Sequence, residues 1–266
     1  MTGMFSTAFS GLRHSRKPRP GVEVLNEFVY RPLAQLLVPA LVRTGVKPET
    51  VVLAHTALGL LAAWQVAGGR ALTPALLLQV KTVLDNADGQ LARATGQTSA
   101  LGRYLDSEMD LLVNAALLLA IDRRWGAPAL VLLQLLLTVD FLLEREYREA
   151  RGEVFRSEPH ENSSSATLDL LQAVYRFSFE PQEKLLAPVF EARFRDAGGR
   201  AENRAAYTPR VVTHVAANLG LSTQLALAGV CIARGRPRDY LVSLPLQALA
   251  LVSLQLWREA HLRRQR

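Results

Sequence analysis

Apolar residues in this chain gather into blocks that approach the length of a bilayer span, with arginine-rich connectors between them. A helix needs about 20 predominantly apolar residues to cross the hydrocarbon core, so the grouping predicts a polytopic membrane protein. Hydrophobic residues are 49 % of the 266 and the mean hydropathy is +0.10. Those values would suit a soluble protein if the residues were evenly spread, so the distribution decides the class. The fold expected is all-α: a membrane bundle of six spans preceded by an amphipathic surface helix.

The blocks fall in order along the chain. A basic tail, residues 1–20, carries Arg13, Arg16, Lys17 and Arg19 but no apolar core leading to a small-residue cleavage site, so it does not read as a signal peptide. The run Val22 to Val42 is amphipathic, with Pro32 as a bend, and is expected on the membrane surface. Val51 to Ala67 is the first expected span. The second starts near Leu72 and runs without a turn signal into the polar stretch Asp85 to Arg93. Tyr104 to Ile121 mirrors it, acidic first and then apolar. Ala127 to Leu143, Val211 to Ala233 and Tyr240 to Trp257 complete the six. Between the fourth and fifth lies a polar cytoplasmic loop of about 145–210, where helices over Leu168 to Phe179 and Gln182 to Phe194 compete with a partly disordered reading. The whole of 21–266 is read as one membrane domain.

The net charge of +7 and pI near 10.0 admit nucleic acid or anionic lipid as partners. The basic residues sit at the edges of apolar blocks, and aromatics are only 7 %, so lipid is favoured and nucleic acid is not expected. Lys and Arg near the spans place both termini, the acidic helix ends and the long loop in the cytoplasm. Cys231, the single cysteine, is read as a packed apolar residue.

Asp85 and Asp88 are three apart and Asp106 and Asp110 four apart, so on helices each pair shares a face. Carboxylates at membrane depth cost roughly 2.5 to 3.5 kcal/mol each and usually mark a site. Four converging carboxylates also repel. A divalent cation relieves this, since Mg²⁺ takes hard oxygen ligands and is commonly bound through carboxylates and substrate phosphates. The plain alternative is a set of helix-end acids pairing with Lys81, Arg93 and Arg103. Gly89 and Gly102 suit close approach of helices or ligand.

The segment DNADGQLARATGQTSALGRYLDSEMD, Asp85 to Asp110, carries D-x-x-D-G-x-x-A-R, eight further residues, then G-x-x-x-D-x-x-x-D. It resembles the signature of the CDP-alcohol phosphotransferase family at Asp85, Asp88, Gly89, Ala92, Arg93, Gly102, Asp106 and Asp110. The resemblance implies transfer of a phospho-alcohol group to a hydroxyl acceptor with release of CMP, with CDP-diacylglycerol the expected donor and another, soluble CDP-alcohol the alternative. It further implies metal ligation by Asp85, Asp88, Asp106 and Asp110, through two ions of Mg²⁺ or Mn²⁺, and a catalytic base at Asp110. Gly89, Ala92, Arg93 and Gly102 would line the nucleotide site. Membrane lipids as partners and a homodimer are implied likewise. The chain has Pro48-Glu49-Thr50-Val51-Val52 where many members have P-N-x-x-T.

Two rivals remain in view. Intramembrane prenyl transfer calls for Asp-rich clusters on widely separated helices, whereas both pairs here lie within 26 residues. A catalytically silent homologue with a lipid-binding or assembly role would not need four acids. His55 and His214 lie near or inside spans, where contact with substrate is one reading, but they show no partner pattern and packing is the expected one. Arg145, Arg148, Arg151 and Arg156 are open to binding an anionic acceptor or lipid headgroup, with anchoring of the fourth span the expected reading. Asp140 is open to two readings, a cavity wall or a contact with another copy.

Overall fold

The computed structural model describes residues 19–155 and 165–264, and the described residues contain helices and no strands. Most of the basic tail, together with Arg156, lies outside these residues. Helix α1 (Arg31–Thr44) continues a π-helical turn (Asn26–Tyr30), and is followed by α2 (Pro48–Ala67), α3 (Leu72–Thr95), α4 (Ala100–Ile121) and α5 (Gly126–Glu149). The polar region forms α6 (Ala166–Ser178), α7 (Glu180–Asp196) and the short α8 (Arg204–Tyr207), and the chain then closes with α9 (Arg210–Ala217), α10 (Leu221–Ala233) and α11 (Arg238–Arg264). The helical alternative for the polar stretch is therefore the one adopted, with α5 extending to Glu149.

Four stretches are long and apolar enough to cross a membrane: α2, α5, the α9–α10 pair and α11. That makes this an integral membrane protein. Six such stretches were expected. The two that fall short, α3 and α4, have comparable length but carry the acidic residues that lower their hydropathy. The expected fifth span is also interrupted, at Asn218–Gly220 between α9 and α10. Expected surface helix α1 has Pro32 directly after the π-helical turn, so its missing N–H falls inside a continuous helical run where the π turn gives way to α-helix. It buries Ala34 and Val38 beside Ala87 of α3 while Leu33, Leu36 and Leu37 stay exposed.

Helix α2 packs on both α3 and α4, with α10 and α1 against α3 and α6 against α4. Gly59 permits a close approach of α2 to α4, because a Cβ there would lie 2.6 Å from Val113 Cγ1. The α3–α4 turn is short for local reasons. Gly96 takes φ 68° and ends α3 in the left-handed conformation that favours glycine. Ser99 then caps α4, accepting from Gly102 N at 2.9 Å. Its hydroxyl donates to Glu49 Oε1 at 3.1 Å, so the acid at the second position of the Pro48 motif supports the cap.

The α9–α10 break anchors the segment that precedes α1. Asn218 Nδ2 donates to Val22 O at 2.7 Å and its Oδ1 accepts from Val24 N at 2.9 Å. Glu23 Oε1 accepts from Thr223 N at 3.0 Å at the start of α10, where a carboxylate meets unpaired N–H groups. His214 Nδ1 accepts from Val22 N at 2.9 Å, a structural role. This stitching brings Arg19, Glu23 and Asn26 to the wall of a cavity shared with α3, α4 and α5.

Candidate metal and substrate site

Three helices supply the site. Helix α2 contributes His55, α3 contributes Lys81, Asp85 and Asp88, and α4 contributes Asp106 and Asp110. The two carboxylate pairs face each other because α3 and α4 both pack on α2 and are joined by the four-residue turn 96–99, which keeps the last turns of one near the first turns of the other. One donor atom each from His55, Asp85, Asp88 and Asp106 falls within 4.8 Å of the other three. His55 Nε2 lies 2.9 Å from Asp88 Oδ2, 3.8 Å from Asp85 Oδ1 and 3.9 Å from Asp106 Oδ1.

Asp110 is held differently. The ammonium of Lys81, 1 % exposed, donates to Asp85 Oδ1 at 2.8 Å and also to Asp110 Oδ1. One buried positive charge thus sits between the two pairs. Asp106 Oδ1 is buried with no hydrogen-bond partner, although 40 % of that side chain is accessible. A buried oxygen without a donor is costly. Three carboxylates and an imidazole converging, with one oxygen lacking a partner, form a donor set that fits a divalent cation.

The cluster opens onto a cavity of about 420 Å³, within the range of small-ligand sites. Gly89 and Arg93 line it beside the acids, with the Arg93 guanidinium 3.3 Å from where a Gly89 Cβ would stand. Ala92 and Gly102 do not line it. Gly102 instead sits against the Ser99–Glu49 cap. The sequence reading missed His55 because its partner Asp88 is 33 residues away. The available signal was a histidine inside an otherwise apolar helix.

Residues 46–158 match the family model described as CDP-alcohol phosphatidyltransferase. The match begins just before α2 and ends beyond α5, so the matched segment contains every side chain of the acidic cluster. Two curated relatives agree. An archaetidylinositol phosphate synthase of Pyrococcus horikoshii is 32 % identical over 121 residues, 44 % of this chain and 60 % of that protein. A phosphatidylinositol phosphate synthase of Streptomyces avermitilis is 32 % identical over 105 residues, 38 % of this chain and 43 % of that protein. The chain therefore spans about half the length of these relatives, and the likeness is concentrated in the segment that builds the site.

Proposed function

We propose that this protein transfers a phospho-alcohol group, most simply phosphatidyl, from CDP-diacylglycerol to the hydroxyl of a polar acceptor and releases CMP. The observation that carries the reading is the convergence of Asp85, Asp88 and Asp106 on the wall of one cavity, with His55 buried behind them, inside the matched segment. Asp85, Asp88 and Asp106, with His55, would hold a divalent ion such as Mg²⁺ or Mn²⁺. Such an ion, when bound, neutralises diphosphate charge and polarises the phosphoryl group.

The chain's own groups do the rest. Lys81 fixes Asp110 through Oδ1, leaving Oδ2 to take the acceptor proton as its oxygen bonds to the β-phosphorus. The bond from that phosphorus to the CMP oxygen breaks, and CMP leaves with the electron pair. Arg93, on the same wall, is placed to meet phosphate charge. Helices α3 and α4 would be the second and third of six spans, with their acidic ends facing the cytoplasm. A lipid donor then reaches the cluster from the bilayer while the acceptor enters from water.

The test is CMP release by purified protein with CDP-diacylglycerol and an acceptor. Release that depends on the acceptor and stops with chelator supports the reading. Its absence with every CDP-alcohol offered favours the silent homologue.

A further inference from the structure

Helices α6 and α7 form one bent rod, with Phe179 between them and Pro181, which has no N–H for the helical ladder, in the first turn of α7. One side of the rod is matched to the body of the protein. Leu168 and Leu171 are buried there, and Tyr175 meets Tyr104 of α4 edge-on with ring centroids 5.2 Å apart. The Thr138 hydroxyl of α5 donates to Gln182 Oε1 at 3.0 Å, and Phe194 packs with Tyr207 and Leu262.

The opposite side carries a second apolar stripe that the described residues leave uncovered. Phe177 is 85 % exposed, and Leu170, Val174, Pro181 and Leu185 are exposed with it. Spacings of four, three, four and four residues set these side chains on one helical face. A charged stripe runs beside it, with Asp169, Arg176, Glu180, Lys184 and Glu191 at the same kind of spacing.

Depth decides what covers the apolar stripe. Helix α5, to which the rod is bonded, is the most apolar of the four membrane-crossing stretches, and 39 % of its most apolar part is buried in the protein. Thr138 precedes Leu143, the last residue of that apolar block, by about 8 Å of helix. The rod therefore joins α5 inside the level at which α5 leaves the apolar layer, and its stripe continues a surface already turned to lipid. A helix lying in a membrane boundary sinks its apolar face about 5–10 Å below the headgroups and keeps a charged face towards water. Contact depth and paired stripes in α6 and α7 match that arrangement.

We propose that α6 and α7 lie in the membrane boundary at the Glu149 end of α5, with Leu170, Val174, Phe177 and Leu185 against lipid acyl chains. Tyr175, Phe179 and Glu183 of the same rod line the cavity that holds the acids, so this one layer of helix is the wall between the bilayer and the carboxylates. The seating goes beyond the reaction proposed above and does not depend on it.

The experiment attaches nitroxide labels to single cysteines of the full chain in liposomes, in a Cys231→Ser background and without substrate. Collision with oxygen, which concentrates among acyl chains, is compared with collision with a water-soluble nickel chelate. Labels on Leu170→Cys, Phe177→Cys and Leu185→Cys should meet oxygen and exclude nickel. Labels on Arg176→Cys and Lys184→Cys, on the charged stripe, should do the reverse. Nickel reaching both stripes alike would place the apolar one in water and overturn the proposal. Low collision with both reagents along the apolar stripe, or spin–spin broadening between copies, would make a second copy of the chain its cover and overturn the proposal as well. Each stripe position reports alone, so one variant that fails to fold leaves the test intact. Because no CDP-alcohol is present, either outcome leaves the proposed reaction to its own test.

Discussion

Lys81 is the residue on which the electrostatics of the site turn, because its ammonium touches one acid from each pair while lying out of water. Removing one partner of a buried ion pair typically costs about 3–5 kcal/mol. Lys81→Met should therefore lower the thermal midpoint in metal-free detergent solution, and added Mg²⁺ should raise it more than in the native protein. An unchanged midpoint would show that Lys81 does not balance the acids. Asp106→Asn should act oppositely without metal, holding or raising the midpoint as carboxylate repulsion is relieved. It should weaken Mn²⁺ binding, followed by electron paramagnetic resonance, by about tenfold or more. A metal-free loss of stability in Asp106→Asn would mean that this acid serves the fold. The pairing of acids was legible in the sequence because three- and four-residue spacings share a helix face. Lys81, named among the possible ion-pair partners, does pair with Asp85 and Asp110, and this coexists with a converged donor set at Asp88 and Asp106. The place of His55 was not legible, since proximity across helices leaves no periodic trace.

At the scale of elements, the contact of α2 with α4 depends on Gly59, where a Cβ would overlap the Val113 methyls. Gly59→Leu should cost about 1–3 kcal/mol through overpacking, read as a lower thermal midpoint, with Gly59→Ala between it and native. Equal midpoints for all three would show the helices free to separate. The α4–α5 turn gives a pH prediction. Asp122 is held ionised below the usual carboxylate range by N–H groups of Trp125 and Arg124 and by Arg238, 2.9 Å away. A depressed folded-state value means that this stabilisation is present above the ordinary 3.8 and lost as pH falls through the lower value. Asp122→Asn should flatten the acid limb of stability against pH, and an unaltered limb would contradict the role. Helix existence was readable from apolar blocks. The α9–α10 break was not, because Val211 to Ala233 holds no proline and no Asp, Glu, Lys or Arg to mark a stop. Its interruption is secured by Asn218 bonding to residues near position 22, a contact far removed in sequence.

For the whole molecule, the acidic cluster and the α4–α5 turn lie at opposite ends of α4, and Arg238 ties that turn to the start of α11. If α3 and α4 both cross the membrane, the Gly69 and Arg236 turns share the outer side, while Gly96 and Gly152 face the cytoplasm. Because Cys231 is the only cysteine, single cysteines at those four positions in a Cys231→Ser background should label in that two-and-two pattern. Labelling of Gly69→Cys and Gly96→Cys from one side would contradict a crossing by α3. Hydropathy alone left this open, since a span that carries a charged site loses the apolar signal by which spans are recognised.

The central claim is phosphotransfer at the converged acids, and it is tested most directly by CMP release from CDP-diacylglycerol by the purified protein. The account predicts release that requires an alcohol acceptor, ceases with chelator, returns with Mg²⁺ or Mn²⁺, and falls by about 100-fold or more in Asp110→Asn as the base is lost. Undiminished release from Asp110→Asn, or release that persists with the metal removed, would contradict it.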